Sequence, residues 1–439
     1  MKGIIENRYF DEIYSLIICL ISVLCWKFSS MVGVIFLLII GIFTLLVIKN
    51  IVYCIPLIFN MIFINNNDFV MGEIPYLMIF CGLAFFVSLI IYFIKEKPKI
   101  KLDKHAIIFL LMALSMAIPV FWNNILIGEQ KALLLLYFAG FIYFSLYFLF
   151  SILPNQNYID KLKVFASYTA ILIALECIIT FIIRIDKELT IVFDGYSLGW
   201  GICNEAGLLL LTFLPFLAID FYNQTNKRGI TISLIKIFII LFGLLFSCSR
   251  GAYLFGILEL GLLTLLILIK TKNKKAIIIF LSTAFSIFLL FVIIKFDLIC
   301  DFILSLFFDG LSSDDRLIMY QDSLNILTKS IRNFFFGSGL VSQIDLNNRF
   351  VVYHSTLFES LVLGGVIGFA ILIMHFIYKY KTIMKLDNKY KAFLLIGFIV
   401  VDIYGLIDNT YYMYYYMIPL SIMLAILEKN NSKLEENIW

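Results

Sequence analysis

From Ile230 to Lys270 the chain reads ITISLIKIFIILFGLLFSCSRGAYLFGILELGLLTLLILIK, two apolar runs joined by a short segment around Ser249 and Arg250. Each run has about the 20 residues that an α-helix needs to cross the hydrocarbon core of a bilayer. The 439-residue chain as a whole is 62% hydrophobic and 15% charged, with a mean hydropathy of +1.00. Soluble domains are about 45–50% apolar and about 25% charged. The composition therefore excludes a soluble enzyme, a nucleic-acid binder and a single-pass receptor.

Similar apolar stretches recur along the chain and leave room for about fourteen spans with short loops. They lie at residues 11–26, 30–48, 51–64, 74–94, 105–122, 131–153, 164–184, 200–222, 230–247, 252–270, 276–296, 354–378, 391–408 and 410–427. We therefore expect an all-α, polytopic integral membrane bundle of about 12–14 transmembrane helices. Residues 1–439 should form a single domain.

Lysines indicate how the helices are oriented, because Lys and Arg accumulate in short cytoplasmic loops. Three segments are crowded with lysine: residues 95–104, 270–275 and 379–391. Fourteen spans with both termini in the cytoplasm place all three segments on the cytoplasmic side. The same topology places one large loop, residues 297–353, on the other side of the membrane.

The large loop carries apolar residues at helical 3-4 spacing, which predicts an amphipathic helix on the membrane surface or on the bundle. These residues are Leu317, Tyr320, Leu324, Leu327, Ile331 and Phe334. Several arginines also fall on the extracytoplasmic side: Arg184, Arg250, Arg316, Arg332 and Arg349. Because the guanidinium binds phosphate oxygens bidentately, this set favours binding of a lipid-linked phosphate or pyrophosphate. The alternative for each arginine is an anchor to lipid headgroups or a pair with a loop acid.

Histidine is scarce, with three in the chain. His105 and His375 are predicted at cytoplasmic ends of spans, in structural roles. His354 is the extracytoplasmic one, where the large loop meets the next span. An imidazole with an unperturbed pKa of about 6.5 can accept a proton near neutral pH. A structural role at the end of a span remains the alternative for His354.

Four short motifs lie between residues 195 and 380. His354-Ser355 is followed after nine residues by Gly365 and then by Gly368, and Glu359 lies between them. The others are Ser249-Arg250-Gly251-Ala252, Gly337-Ser338-Gly339, and a segment from Gly201 to Pro215 that contains Asn204. In this order the motifs resemble those of the O-antigen polymerase and O-antigen ligase family of bacterial envelope proteins. The resemblance is weaker at Asn204, because Cys203 stands where the family commonly has proline.

The resemblance implies the C-class glycosyltransferase architecture, in which an extracytoplasmic loop covers a lipid-accessible cavity in the bacterial cytoplasmic (inner) membrane. The donor would be a glycan on undecaprenyl pyrophosphate and the acceptor a sugar hydroxyl, with no cofactor and no metal. His354, Arg250 and Arg316 would be catalytic, with His354 as the general base. The implied substrate-binding positions are Arg332, Arg349, Ser249, Asn204, Ser355, Glu359, Gly337, Gly339, Gly365 and Gly368. A chain-length regulator and a flippase of the same pathway are candidate partners, and no nucleic acid is expected.

Several functions stay open. The family includes polymerases, which join lipid-linked repeat units, and ligases, which transfer the finished glycan to lipid A core or another acceptor; the span number favours a polymerase. A lipid-linked glycan flippase is the alternative from another class, and its ionisable candidates within spans are Glu176, Glu205, Glu259 and Asp402. A catalytically inactive scaffold is a further alternative. The tyrosine-rich run Tyr411–Tyr416 is predicted to form an interfacial belt, with stacking on sugars as its alternative.

Overall fold

The protein is described by a computed structural model. It describes residues 8–28, 30–64, 76–98, 102–121, 130–154, 157–184, 203–270, 313–339 and 353–436, together with residues 274, 278, 279, 282 and 286. Within these residues the regular structure is helical throughout, with no strand. The expected all-α class is therefore confirmed for the described part of the chain.

The helices follow one another in this order: α1 Arg8–Phe28, α2 Ser30–Phe43, α3 Cys54–Ile64, α4 Tyr76–Glu96, α5 Lys104–Ala117, α6 Gln130–Ser151, α7 Ile159–Arg184, α8 Cys203–Tyr222, α9 Lys227–Phe246, α10 Arg250–Lys270, α11 Ser313–Thr328, α12 Ile331–Phe336, α13 Thr356–Met384, α14 Asn388–Ile407 and α15 Tyr414–Glu436. Short π- and 3-10 turns at Thr44–Ile48 and Ile51–Tyr53 connect α2 to α3. Polar residues begin several helices: the side chain of Asp103 caps α5 and that of Asn226 caps α9.

Among the described helices, six are long and apolar enough to cross a membrane: α7, α8, α9, α10, α13 and α14. Apart from 276–296, which lies largely outside the described residues, each predicted apolar stretch coincides with a described helix. Four apolar segments within the described residues are shorter than a full span: Val32–Ile48, Ile51–Asn60, Lys104–Ala117 and Gly140–Ser151, of which the last is part of the 22-residue α6. The chain is thus a helical membrane protein, and 12–14 spans remains a prediction.

Helix α8 lies at the centre of the bundle, where it packs against α7, α9, α10 and α14. It is the most deeply buried of the six candidate spans. Small residues permit the close approaches: a Cβ atom on Gly397 of α14 would lie 2.1 Å from Pro215 of α8. The bundle therefore holds the starts of α8 and α10 in fixed relation to α14.

The described part of the large loop folds onto the bundle, because α11 and α12 both pack against α13. Tyr320 of α11 stacks on Phe358 of α13 with the ring centroids 4.4 Å apart. The segment predicted to form one amphipathic helix is helical, but it is divided at Ser330, which caps α12. Its apolar face is also divided: Leu327 is buried, whereas Leu317, Leu324, Ile331 and Phe334 are exposed.

Two predictions for the end of α13 are wrong. Lys379, assigned from the sequence to a cytoplasmic loop, lies within α13 and is completely buried. Its ammonium group donates to Asp402 Oδ1 of α14 at 2.6 Å and to the Tyr411 hydroxyl at 2.6 Å. His375, predicted at a span end, is also completely buried, because α13 continues to Met384. The hydropathy pattern predicts that the span ends at the first lysine. The Lys379–Asp402 ion pair instead allows a lysine to be buried within the helix.

Candidate functional site

The chain enters α13 through a turn that presents His354. This residue has a φ of +43°, in the left-handed region that residues other than glycine rarely adopt. Ser355 is buried at the N-cap position of α13 but makes no side-chain capping hydrogen bond, and the chain turns from the loop into the helix at this point. The His354 side chain itself is 37% exposed. Such a strained, partly exposed polar residue is typical of a functional position.

Asp408, at the end of α14, lies beside the histidine. His354 Nδ1 is 3.3 Å from Asp408 Oδ1. The other carboxylate oxygen accepts from the Tyr404 hydroxyl at 3.2 Å, and the Asn409 backbone N–H donates to Oδ1 at 2.8 Å. Because a carboxylate only accepts, this contact assigns the proton of neutral His354 to Nδ1. Nε2 is then the nitrogen that can accept a proton.

The turn between α14 and α15 is fixed to the start of α13. Thr410 N–H donates to Thr356 Oγ1 at 3.2 Å, and the two threonine hydroxyl oxygens also lie 3.2 Å apart. The Tyr412 hydroxyl donates to Ser360 Oγ at 3.0 Å or accepts from it. Burial raises the pKa of the Tyr412 hydroxyl, which therefore stays neutral. These contacts hold Asp408 in register with His354.

The motif from Ser249 to Ala252 lies at the same end of the bundle. Ser249 is buried, donates to Asn204 Oδ1 of α8 at 2.8 Å and accepts from the Ala252 N–H at 3.2 Å. Arg250 is the first residue of α10, and it is exposed. Gly251 lies against the Tyr404 ring, because a Cβ atom there would be 2.3 Å from Cε2. A chain of contacts thus connects this motif through Tyr404 and Asp408 to His354.

Glu359, one turn into α13, supports the histidine turn from within. Its carboxylate accepts from the Tyr353 N–H at 3.2 Å, and the residue is completely buried. Within the described part of the chain, the other oxygen, Oε1, has no hydrogen-bond partner. Glu359 therefore fixes the backbone immediately before His354, rather than lining the surface of the site.

Two glycines of the motifs, Gly337 in the large loop and Gly365 in α13, contact each other. Gly337 and Gly365 have φ values of +72° and +64°, and Gly365 interrupts the helical geometry of α13. A Cβ atom on either glycine would lie about 2.5 Å from the backbone of the other, and Ser338 N–H donates to Val362 O at 2.8 Å. Gly339 has a φ of +68°, and Gly368 lies near Ser115 of α5. These glycines shape the backbone around the site.

The structure describes only part of the remaining set of predicted arginines. Arg316 belongs to α11, but its side chain lies outside the described part of the structure. Arg332 lies on α12 and is exposed. Arg349 lies outside the described residues. Arg250 and Arg332 are thus exposed, and a pyrophosphate site formed by the arginines remains a prediction.

Sequence reasoning missed Asp408 and Tyr404. Both lie at the C-terminal end of α14, and Asp408 follows His354 by 54 residues in the chain. One signal was available, since Asp408 lies at the predicted extracytoplasmic end of the stretch 391–408, on the same side as His354. This position predicts the side of the membrane on which Asp408 lies, but not its contact with His354.

The tyrosine-rich run packs into the bundle. Tyr411, Tyr412 and Tyr416 are buried, and the Tyr411 hydroxyl donates to Asp402 Oδ1 at 3.1 Å. The prediction of an interfacial belt is therefore wrong for these three residues. Tyr414 and Tyr415 are half-buried, with their ring centroids 3.9 Å apart.

Comparison with known proteins gives no match: no protein-family model, no curated protein and no solved structure is detectably similar to this chain.

Proposed function

We propose that this protein is a metal-independent glycosyltransferase of the bacterial cytoplasmic membrane, with its active site on the extracytoplasmic face. It would polymerise undecaprenyl-pyrophosphate-linked oligosaccharide repeat units into a surface polysaccharide such as O-antigen, capsule or exopolysaccharide. The pairing of partly exposed His354 with Asp408, at the end of the bundle that also presents Arg250, is the observation that carries the proposal. The motif resemblance supplies the substrate class.

His354 serves as the general base in this proposal. Asp408 holds the imidazole with Nδ1 protonated, which leaves the Nε2 lone pair to take the proton of the acceptor sugar hydroxyl. The hydroxyl oxygen forms a bond to the anomeric carbon of the donor, and the bond from that carbon to the pyrophosphate oxygen breaks. A single displacement of this kind inverts the anomeric centre.

In this proposal the arginines stabilise the leaving group. As the glycosidic bond breaks, negative charge grows on the undecaprenyl pyrophosphate, and a guanidinium stabilises it through two parallel hydrogen bonds. Arg250 is the first candidate because its neighbour Gly251 contacts Tyr404, which in turn bonds Asp408. Arg316 is the second catalytic candidate, and Arg332 and Arg349 are candidates for binding the substrate.

A His354→Ala variant tests the proposal in the host. We expect single repeat units in place of a polymer ladder, at normal membrane abundance of the protein, because the change removes a base and no buried contact. His354→Gln should fail in the same way, since an amide keeps the polarity but is not a base. A wild-type ladder from either variant would remove the catalytic role.

Deletion of the gene separates polymerase from ligase, whose chemistry differs in the acceptor. Deletion of a polymerase gene leaves single repeat units on undecaprenyl pyrophosphate. Deletion of a ligase gene leaves the full ladder on undecaprenyl pyrophosphate and removes it from the final carrier.

A lipid-linked glycan flippase remains a second candidate because of ionisable residues inside the bundle. Besides the Lys379–Asp402 pair, Glu259 of α10 is completely buried, and neither of its carboxylate oxygens has a hydrogen-bond partner within the described residues. Intramembrane charges of this kind often mark transport pathways. In vesicles with donor and acceptor in the same leaflet, a glycosyltransferase forms product without transport, whereas a flippase forms none.

A further inference from the structure

Helix α12 carries an apolar edge that neither the bundle nor α11 covers. Ile331 is 81% exposed and Phe335 45% exposed, and Phe334 is also exposed. Two basic residues adjoin this edge, Lys329 just before the helix and Arg332 within it. Exposed aromatic and aliphatic side chains next to basic residues are typical of helices that lie in the interface of a membrane.

The contact between α12 and α13 defines the level of this edge. The backbone of Phe335 and Gly337 touches Gly365, where the helical geometry of α13 is interrupted. Helix α13 has 29 residues, more than the roughly 20 that cross the hydrocarbon core. The section from Gly365 to Met384 has about that length by itself. With the hydrocarbon core beginning at this interruption, α12 would lie at its boundary.

The exposure pattern of α13 agrees with that level. Its exposed large apolar residues begin directly after Gly365, with Val366 and Ile367, and continue through Ile373, Met374 and Ile377. Before Gly365, none of the side chains of α13 is exposed. A lipid-facing stripe thus begins where α12 touches α13.

Helix α11 has a more mixed outer face. Gln321, Asp322 and Asn325 are exposed there beside the apolar Leu317, Ile318 and Leu324, while Ser323 and Leu327 are buried. The exposed face of α11 is therefore more polar than the apolar edge of α12.

We infer that α12 is an interfacial anchor: Ile331, Phe334 and Phe335 insert into the outer leaflet of the phospholipid bilayer, while Lys329 contacts lipid phosphates. The anchor connects the loop to the membrane next to the Gly337–Gly365 contact, eleven residues along α13 from His354. This inference does not depend on the proposed enzymatic activity.

Tryptophan fluorescence in reconstituted vesicles tests the anchor. Phe335→Trp and the control Asn325→Trp are made in the full chain with its four native tryptophans changed to phenylalanine. The vesicles contain phosphatidylcholine and phosphatidylglycerol brominated near the headgroup. We expect the brominated lipid to remove about half of the emission at position 335, and less at position 325. Aqueous acrylamide should give the reverse order.

Equal quenching of the two tryptophans by brominated lipid, or stronger acrylamide quenching at position 335 than at 325, would overturn the inference. If Phe335→Trp lowers the thermal midpoint of the protein, Ile331→Trp replaces it, because that side chain is the most exposed of the edge. The same quenching pattern is expected at position 331, and its absence would be equally decisive.

Discussion

Gly337 and Gly365 lie with their backbones in direct contact, so that a Cβ atom on Gly365 would be 2.5 Å from the Gly337 nitrogen. The contact joins the described end of the large loop to the point where α13 departs from helical geometry. Two glycines 28 residues apart in the chain thereby attach the loop to α13, eleven residues after His354.

Replacing Gly365 by alanine should destabilise the protein. The new methyl group meets the backbone of Phe335 and Gly337, and the positive φ alone costs about 1–3 kcal/mol. We expect a lower midpoint of thermal unfolding in detergent and a weaker polymer ladder. Gly261→Ala is the matched control, because a Cβ atom at Gly261 of α10 meets nothing within 4 Å. Equal midpoints for the two variants would contradict the close contact.

Asp408→Asn should reduce glycan transfer strongly while leaving the fold intact. The amide is nearly isosteric with the carboxylate, but it carries no negative charge to stabilise an imidazolium. General base catalysis contributes about 10²–10⁴-fold, so a loss within that range is expected in a transfer assay with purified lipid-linked donor. Asp322→Asn makes the same chemical change at an exposed position of α11 and should retain activity. Wild-type transfer by Asp408→Asn would show that the carboxylate does not serve His354.

Arg250→Lys should fail to support polymer formation. Lysine retains the charge but not the planar fork that binds two phosphate oxygens at once. The control is Arg228→Lys, because Arg228 is also exposed but is the second residue of α9, away from the starts of α8 and α10. The ladder on a gel of host surface glycans is the measurement. Full activity with lysine at position 250 would contradict bidentate phosphate binding and would show that Arg250 supplies only a positive charge at the membrane interface.

Removing one member of the Lys379–Asp402 pair should destabilise the bundle more than removing both. A buried charge that loses its partner costs about 3–5 kcal/mol, whereas an apolar pair of similar volume is often neutral. Lys379→Met and Asp402→Leu should therefore each lower the thermal midpoint, and the double variant should recover most of the loss. Single variants that are both as stable as the double variant would contradict this role. A stable double variant without transport activity would favour the flippase.

Much of the architecture follows from local patterns. The apolar stretches predicted the positions of nearly all described helices, because a backbone in lipid must satisfy its own hydrogen bonds and a helix does so segment by segment. The pattern around His354 and Ser355 likewise marked the start of α13. The residue at which a span ends was predicted less well. Hydropathy places every lysine in water, because it takes no account of an acidic partner on another helix, such as Asp402 for Lys379.

The sequence by itself determined a helical membrane protein and the segments that carry its polar motifs, since composition and periodicity act over short stretches of chain. Only the tertiary structure decided that Asp408 pairs with His354, that Glu359 supports the backbone from within, and that Gly337 meets Gly365. These contacts depend on how α8, α10, α13 and α14 pack around one another. Packing brings together residues that are far apart in the chain, and no local pattern encodes those distances.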